Sequence, residues 1–366
     1  MVFFQPKRSY TQAFFLFLLA LVFFELLSRI VLSRGPVWNI IARGPYCETR
    51  YRMTWLNRQS RQGARISYTF DVFDATKGWL PRPSLRDALA PSGKPLSTNS
   101  RGIRGREEYH YQKKNGALRI LALGDSFTFG EDVGDDETYC ARLKAMLPDT
   151  EVINLGVHGY GHDQMLIYLR EEGVKYHPDI VVLGFVFADC ERNILTFRDF
   201  AKPRFAIVNG RLTLRNSPVS SPETVLDRER RRLACVDLLA ILYHNIRWKV
   251  GLEEKLSREI TSVIFDEMVS TVRGIGATPI FIYLPVFGEL SASTFSEELT
   301  DGERFLSAWC KKRGVLYCSA RPYFIAYAKK GSALKTSGHW GPTEHRLAAE
   351  VIRQFLSDSR FISDSR

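Results

Sequence analysis

The residues of this sequence best placed for chemistry follow a short apolar segment near its middle. The run from Ile120 to Leu123 predicts a buried strand, and Gly124 ends it. Asp125 and Ser126 come next. Ligands of open α/β sheets bind beyond the carboxyl ends of the strands, so Ser126 would present its hydroxyl to a substrate there. A serine hydroxyl becomes a nucleophile when a neighbouring base takes its proton.

The base would be one of the chain's seven histidines. His339 is the best candidate, because it follows the last predicted core strand and precedes the closing helix; its alternative role is packing beside Trp340. His345 falls inside that helix, where capping or packing is expected. His158 and His162 border a glycine-rich segment, where they could contact substrate or lie on the surface.

Acyl transfer also needs hydrogen-bond donors for the oxyanion. The backbone N–H groups of Ser126 and Gly159 are the candidates, with Gly156 as an alternative. A glycine lets the backbone approach a ligand closely, although glycines are also ordinary loop residues.

The elements that position these residues alternate along the chain. Strands are predicted near 119–123, 151–155, 179–187, 278–284 and 315–319. Helices are predicted near 137–147, 163–176, 255–273, 302–312 and 342–356. This alternation predicts an α/β fold, a parallel sheet with helices on both faces. An insertion near 190–250 interrupts it, with a hairpin turning at Asn209-Gly210 and a long helical stretch.

Composition suits one large globular domain with additions. The chain has 366 residues, of which 45% are hydrophobic, and a net charge of +11. No nucleic-acid-binding motif accompanies the charge, so we expect no nucleic-acid partner. Arginines concentrate in one early segment, as Arg34, Arg43, Arg50, Arg52, Arg58, Arg61 and Arg65. That segment suits contact with anionic lipid headgroups, or it is a solvated linker.

An apolar run near the amino terminus predicts a membrane anchor. It is unbroken from Ala13 to Phe24 and continues to Leu32. About 20 apolar residues form a helix about 30 Å long, the thickness of a bilayer core. Glu25 and Arg29 interrupt the run four residues apart, so they can pair on one face. A cleaved signal peptide is the alternative, but no small-residue cleavage site follows.

Five segments together resemble the SGNH/GDSL hydrolase family, in its membrane-anchored bacterial form. They are Ser97–Gly105, Arg119–Gly130, Val152–Gly161, Pro178–Asp189 and Gly338–Glu350, in the family's order. The resemblance covers roughly 78–356 and implies a flavodoxin-like sheet. It also implies Ser126 as nucleophile, His339 as base and Gly159 as an oxyanion donor. It places the domain on the periplasmic side of a bacterial inner membrane, whereas the charges flanking the apolar run slightly favour the cytoplasm.

Two positions depart from the family's pattern. The family's third block supplies an asparagine to the oxyanion hole, and this chain has Ala188 there, before Asp189. Asn193 is a possible substitute, and Asp125 and Asp189 are possible supporting residues. The family also places an aspartate two or three residues before its histidine. Those positions hold Ser337 and Thr336 here.

These observations predict a single-pass membrane serine ester hydrolase or acyl transferase acting on acylated envelope glycan or lipid. The alternative is a catalytically degenerate SGNH-like binding or scaffold protein. No cofactor or metal is expected, because the six cysteines lack paired metal spacing; Cys310 and Cys318 could form a disulfide or stay free. The sequence does not indicate an oligomeric state. The predicted organisation is a cytoplasmic tip and anchor (1–33), an irregular basic lead-in (34–96), the α/β domain (97–358) and a disordered tail (359–366).

Overall fold

The chain divides into two compact units. The computed structural model describes residues 7–33, 41, 47–61, 70–90, 92–114, 116–290, 298–331, 333–335 and 337–362. Met1–Ile66 and Ser221–Lys255 form the helical unit, and Ser67–Ser220 and Leu256–Arg366 form the α/β unit.

The elements are numbered in chain order. The strands are β1 (Asp71–Asp74), β2 (Gly78–Pro81), β3 (Ala88–Leu89), β4 (Pro95–Leu96), β5 (Leu118–Gly124), β6 (Thr150–Gly156), β7 (Ile180–Phe185), β8 (Arg204–Val208), β9 (Arg211–Arg215), β10 (Thr278–Tyr283) and β11 (Leu316–Ser319). The α-helices are α1 (Lys7–Ser33), α2 (Glu48–Arg61), α3 (Ser126–Phe129), α4 (Tyr139–Met146), α5 (His162–Glu171), α6 (Asp189–Arg192), α7 (Pro222–Arg230), α8 (Ala234–Lys249), α9 (Leu252–Gly274), α10 (Asp301–Arg313), α11 (Arg321–Lys329) and α12 (Pro342–Asp358).

The α/β unit is built on a five-stranded sheet in the order β11-β10-β7-β5-β6. Every neighbouring pair in it is parallel. If these five strands are numbered 1 to 5 along the chain and the sheet is read from β6 to β11, the order is 2-1-3-4-5. This is the order of flavodoxin-like doubly wound folds. The predicted fold class is therefore confirmed.

Alternate residues of the strands face two separate apolar cores. From β5, Leu121 and Leu123 enter the core covered by α5, α9 and α10. Ile120 and Ala122 enter the opposite core, covered by α4, α11 and α12. Strands buried on both faces form continuous apolar runs, which explains why the core strands were recognisable in the sequence.

The lead-in is less irregular than predicted. It contains α2, an antiparallel β1–β2 pair and a short β3–β4 hairpin. Helix α2 depends on a tertiary partner, because Arg52 is buried and pairs with Glu229 and Asp237 of the same unit. The arginines at 34, 43 and 65 lie outside the described residues, and the tail is described only as far as Ile362.

The predicted hairpin and the apolar amino-terminal helix are both present. Strands β8 and β9 pair across Asn209-Gly210. Residues Tyr10–Ser33 of α1 are long and apolar enough to cross a membrane. Cys310 and Cys318 are free thiols.

Candidate active site

Ser126 lies at the carboxyl edge of the sheet, in the first turn after β5. The Asp125 carboxylate caps α3 by accepting a hydrogen bond of 2.9 Å from the Phe127 amide. Gly130 ends this short helix in the left-handed conformation, with φ of 79°. The tight turn holds Ser126 with only 4% of its surface exposed.

His339 meets Ser126 from the loop that precedes α12. Its Nε2 atom lies 2.8 Å from Ser126 Oγ, within hydrogen-bond distance. The imidazole packs against the Phe127 ring, with 5.2 Å between centroids. The next residue, Trp340, is fully buried and donates its indole N–H to the Pro285 carbonyl at 3.0 Å. This anchor fixes the loop, so the sheet edge and the closing helix bring the two residues together.

Glu131 is a carboxylate beside His339, and the sequence analysis missed it. Its Oε2 atom lies 3.6 Å from His339 Nε2. The left-handed turn at Gly130 directs the chain back toward the site immediately before Glu131. Ser337 is exposed, and Thr336 lies outside the described residues. A carboxylate is thus present, but on the Nε2 side of the ring rather than the Nδ1 side that a family-type aspartate would occupy.

Gly159 lies in the loop between β6 and α5, with φ of 74°. Within the described part of the chain, its N–H and that of Ser126 donate to no other group. Gly156 has a different role, because its N–H donates to Asn154 Oδ1 at 2.9 Å. A Cβ on Gly156 would lie 2.3 Å from the Phe129 nitrogen, so this glycine permits β6 to pack against α3.

A cation from the insertion lies beside Gly159. An added Cβ at Gly159 would be 3.0 Å from a terminal nitrogen of Arg198 and 2.7 Å from an Asp199 carboxylate oxygen. Arg198 and Asp199 form an ion pair with each other. Burial raises the pKa of the Asp189 carboxyl group, and the positive charge of Arg198 opposes this rise. The guanidinium therefore lies beside Gly159, on the side where a Cβ would project.

Buried charges support the turn that carries Ser126. Arg192 donates to Asp125 Oδ2 at 3.0 Å, to the Tyr160 carbonyl at 2.9 Å and to Asp189 Oδ1. Burial raises the pKa of Asp189 well above its usual range, with Arg192 opposing the shift and Asp125 adding to it. Asp125 and Asp189 thus form a supporting cluster with Arg192, as residues that hold the turn.

Asn193 does not supply the missing oxyanion donor. Its amide nitrogen donates to Thr261 Oγ1 at 2.7 Å and lies 3.2 Å from His162 Nδ1. Its carbonyl oxygen accepts from the Asp163 amide at 3.1 Å. The side chain is fully buried, and its polar atoms are used in holding the start of α5.

A second histidine–carboxylate pair lies in the same loop as Gly159. His158 Nε2 is 2.7 Å from Asp71 Oδ2, contributed by β1. Burial lowers the pKa of His158, but Asp71 outweighs it and raises the pKa to about 9, with a further contribution from Glu131. His158 is therefore an imidazolium at neutral pH. Among the described residues, no group of three His, Cys, Asp or Glu side chains is arranged to hold a metal ion.

Comparisons with known proteins give solved structures only. No protein-family model and no curated protein matches the chain. A G-D-S-L family protein described as lipolytic, from Desulfitobacterium hafniense, is 14% identical over 65% of this chain and 99% of its own, with a TM-score of 0.37. A two-domain esterase active on acetylated mannans is 12% identical over 68% of this chain and 51% of its own, with a TM-score of 0.42. An acetyl-xylooligosaccharide esterase from Geobacillus is 13% identical over 67% of this chain and 96% of its own, with a TM-score of 0.40.

The chain resembles SGNH/GDSL esterases at the level of the fold. Its own strand order establishes a flavodoxin-like parallel sheet, independently of these distant similarities. The chemistry of the site has to be argued from this chain's residues, because fold alone does not fix function.

Proposed function

We propose that the protein is a membrane-anchored serine ester hydrolase or acyl transferase acting on acylated envelope glycan or lipid. The observation that carries the proposal is the 2.8 Å separation of Ser126 Oγ and His339 Nε2. A serine and an imidazole in hydrogen-bond contact at the ligand-binding edge of a sheet form a nucleophile–base pair.

In this mechanism, His339 Nε2 takes the Ser126 proton as Oγ attacks the ester carbonyl. The backbone N–H groups of Ser126 and Gly159 stabilise the oxyanion, and Arg198 adds a cationic donor beside Gly159. The alcohol leaves with the proton from His339, and an acyl-Ser126 ester remains. Water then gives hydrolysis, or a second hydroxyl gives transfer.

Glu131 partly replaces the missing aspartate. The imidazolium formed during attack carries its new proton on Nε2, and Glu131 Oε2 lies 3.6 Å from that atom. The carboxylate therefore stabilises the cation by its charge. Both side chains are partly exposed, so solvent and salt screen this interaction.

The proposed location is a bacterial inner membrane, with the α/β unit facing the periplasm. Helix α1 supports the proposal of an anchor, because its Tyr10–Ser33 segment has the length and apolarity of a membrane-spanning helix. Alkaline carbonate extraction checks it: an integral anchor stays with the membrane, and release into the supernatant would refute the span.

A non-catalytic binding protein is the second candidate. The observation that favours it is Ala188, whose methyl group cannot donate a hydrogen bond to an oxyanion. Loss of one such donor costs about 10²–10³ in turnover in known enzymes. Such a protein would keep the pocket and bind acylated ligands without cleaving them.

A fluorophosphonate probe separates the two candidates. An active nucleophile becomes phosphonylated at Ser126, and peptide mapping identifies the site. The Ser126→Ala and His339→Gln variants are the matched controls: the first should abolish labelling and the second should slow it by about 10³-fold or more. A folded wild type that takes up no probe would rule out the enzyme and leave the binding protein.

A further inference from the structure

Helix α8 presents an apolar face that nothing covers within the described chain. The six apolar side chains of this face are each 44–63% exposed: Val236, Leu239, Leu242, Tyr243, Ile246 and Val250. Their spacing of mostly three and four residues places them on one side of the helix. On the other side Asp237 and Ile241 are buried. An exposed apolar stripe of this size marks an interaction surface.

The amino terminus of α8 is fixed to α1. The Glu25 carboxylate accepts from the Ala234 amide at 3.0 Å and from the Cys235 amide at 2.9 Å. These amides have no partner within their own helix, so a side chain of α1 satisfies them. Arg29 pairs with the same carboxylate at 2.7 Å.

The two helices run side by side in the same direction. One contact joins Glu25 to the first turn of α8, and a second places Leu32 and Ile241 in one apolar cluster. Leu32 follows Glu25 by seven residues on α1, and Ile241 follows Ala234 by seven residues on α8. Each spacing is a rise of about 10 Å along its helix. The first half of α8 is therefore held at the depth of the last two turns of α1.

This arrangement sets the environment of the apolar face. Glu25 precedes the end of α1 at Ser33 by about 12 Å of helix. In the same turns of α1, Leu26 and Ile30 are also exposed apolar residues. The first half of the α8 face is therefore level with exposed apolar residues of the proposed span, at the depth of one leaflet.

The charged side chains of α8 are either buried or lie in its last turn, where the Arg247 guanidinium packs over the Tyr243 ring at 5.5 Å from its centroid. Asp237 is buried and pairs with Arg52 and Arg232. The cationic residues of the last turn, Arg247 and Lys249, lie at the end that projects beyond α1. An apolar stripe with cations at its outer end suits a helix inserted beside the span, because long Arg and Lys side chains near a helix end can reach the headgroup region.

We propose that the apolar face of α8 contacts lipid acyl chains in the leaflet where α1 ends. The proposal rests on the membrane anchoring proposed above, and it makes the helical unit a two-helix membrane platform. Helix α8 has 16 residues, about 24 Å, and does not need to cross the bilayer itself. The sequence analysis placed this segment in an insertion of the α/β domain.

Fluorescence quenching in proteoliposomes tests the assignment. Leu239→Cys and Ile246→Cys are labelled with an environment-sensitive fluorophore in the full chain, with Cys235→Ser and Cys318→Ser removing the partly exposed native thiols. The vesicles contain phosphatidylethanolamine and phosphatidylglycerol, with doxyl-phosphatidylcholine as lipid quencher and iodide as aqueous quencher. Doxyl lipid should lower the emission of both labels about twofold or more, and iodide should have little effect.

Lys311→Cys, an exposed position on α10, is the matched control and should respond to iodide but not to doxyl lipid. Iodide quenching at 239 and 246 would show that the face is in water and would overturn the proposal. Protection from both quenchers would show a protein partner on the face, which also overturns it. Carbonate extraction distinguishes the failures: release of the chain overturns the span itself, whereas retention with iodide-accessible labels overturns only the assignment of α8.

Discussion

At the scale of single residues, the proposed nucleophile and base lie together, and the groups around them differ from the pattern of the family that the sequence resembles. Ser126 and His339 form the close pair. The expected aspartate before the histidine is absent, and Glu131 approaches the imidazole from another side. The expected asparagine is Ala188, and Arg198 lies beside Gly159. These substitutions can be tested separately.

Glu131→Gln should lower kcat for a short-chain aryl ester by about tenfold or less, because a partly exposed charge is screened. Adding Ser337→Asp should recover activity, since a carboxylate there could accept the Nδ1 proton as in a complete triad. Asp132→Asn is the control, because Asp132 pairs with Lys335 rather than with His339. An unchanged kcat in Glu131→Gln would remove Glu131 from the mechanism.

Arg198→Ala should lower kcat by about 10- to 100-fold with a smaller change in KM, as expected for an oxyanion donor. Ala188→Asn should then restore activity more strongly in the Arg198→Ala background than in the wild type, because both residues would serve the same oxygen. Asp199→Asn controls for the broken ion pair and should retain most activity. Equal gains from Ala188→Asn in both backgrounds would show that Arg198 has no such role.

At the scale of elements, close packing between β6 and α3 holds the nucleophile at the sheet edge. The backbone of Thr128 and Phe129 occupies the space where a Gly156 side chain would be. The lack of a side chain at Gly156 therefore sets how closely α3, and with it Ser126, packs on β6.

Gly156→Ala should destabilise the α/β unit by about 1–3 kcal/mol, because its Cβ would meet backbone atoms that cannot move aside freely. It should also slow phosphonylation of Ser126, since α3 would shift. Denaturant unfolding and probe labelling measure the two effects. Gly274→Ala is the control, as an added Cβ there meets nothing within 4 Å. Wild-type behaviour of Gly156→Ala would show that α3 tolerates a shift.

At the scale of the whole molecule, buried histidines make stability depend on pH in two directions. Burial and nearby cations lower the pKa of His162 and of His345 to about 3. Asp71, acting against burial, raises the pKa of His158 to about 9. An unfolded histidine titrates near 6.5. The unfolded chain therefore binds more protons than the folded chain below about pH 6.5, through His162 and His345, and fewer above it, through His158.

The free energy of unfolding of the α/β unit should fall as the pH drops from about 6.5 toward 3. It should also fall as the pH rises from about 6.5 through 9. Each titrating histidine contributes at most about 1.4 kcal/mol per pH unit. His345→Gln should make the acid limb shallower, and His158→Gln should flatten the alkaline limb. Denaturant midpoints of the α/β-unit transition across this pH range measure both limbs. An unchanged alkaline slope in His158→Gln would mean that the ion pair with Asp71 does not form.

The sequence by itself determined the sheet and the chain positions of the proposed reacting pair. Strands buried on both faces appear as apolar runs, and the break at Gly124 marks where Ser126 must lie. The tertiary structure alone decided which charged groups lie near the site, because the approach of Glu131 to His339 and the placement of Arg198 and Asp71 have no local signal in the sequence. It also decided that α8 belongs beside α1, since a hydrogen bond between residues 25 and 234 leaves no periodicity in the sequence. Local patterns encode burial, whereas contacts between distant segments depend on how the folded elements meet.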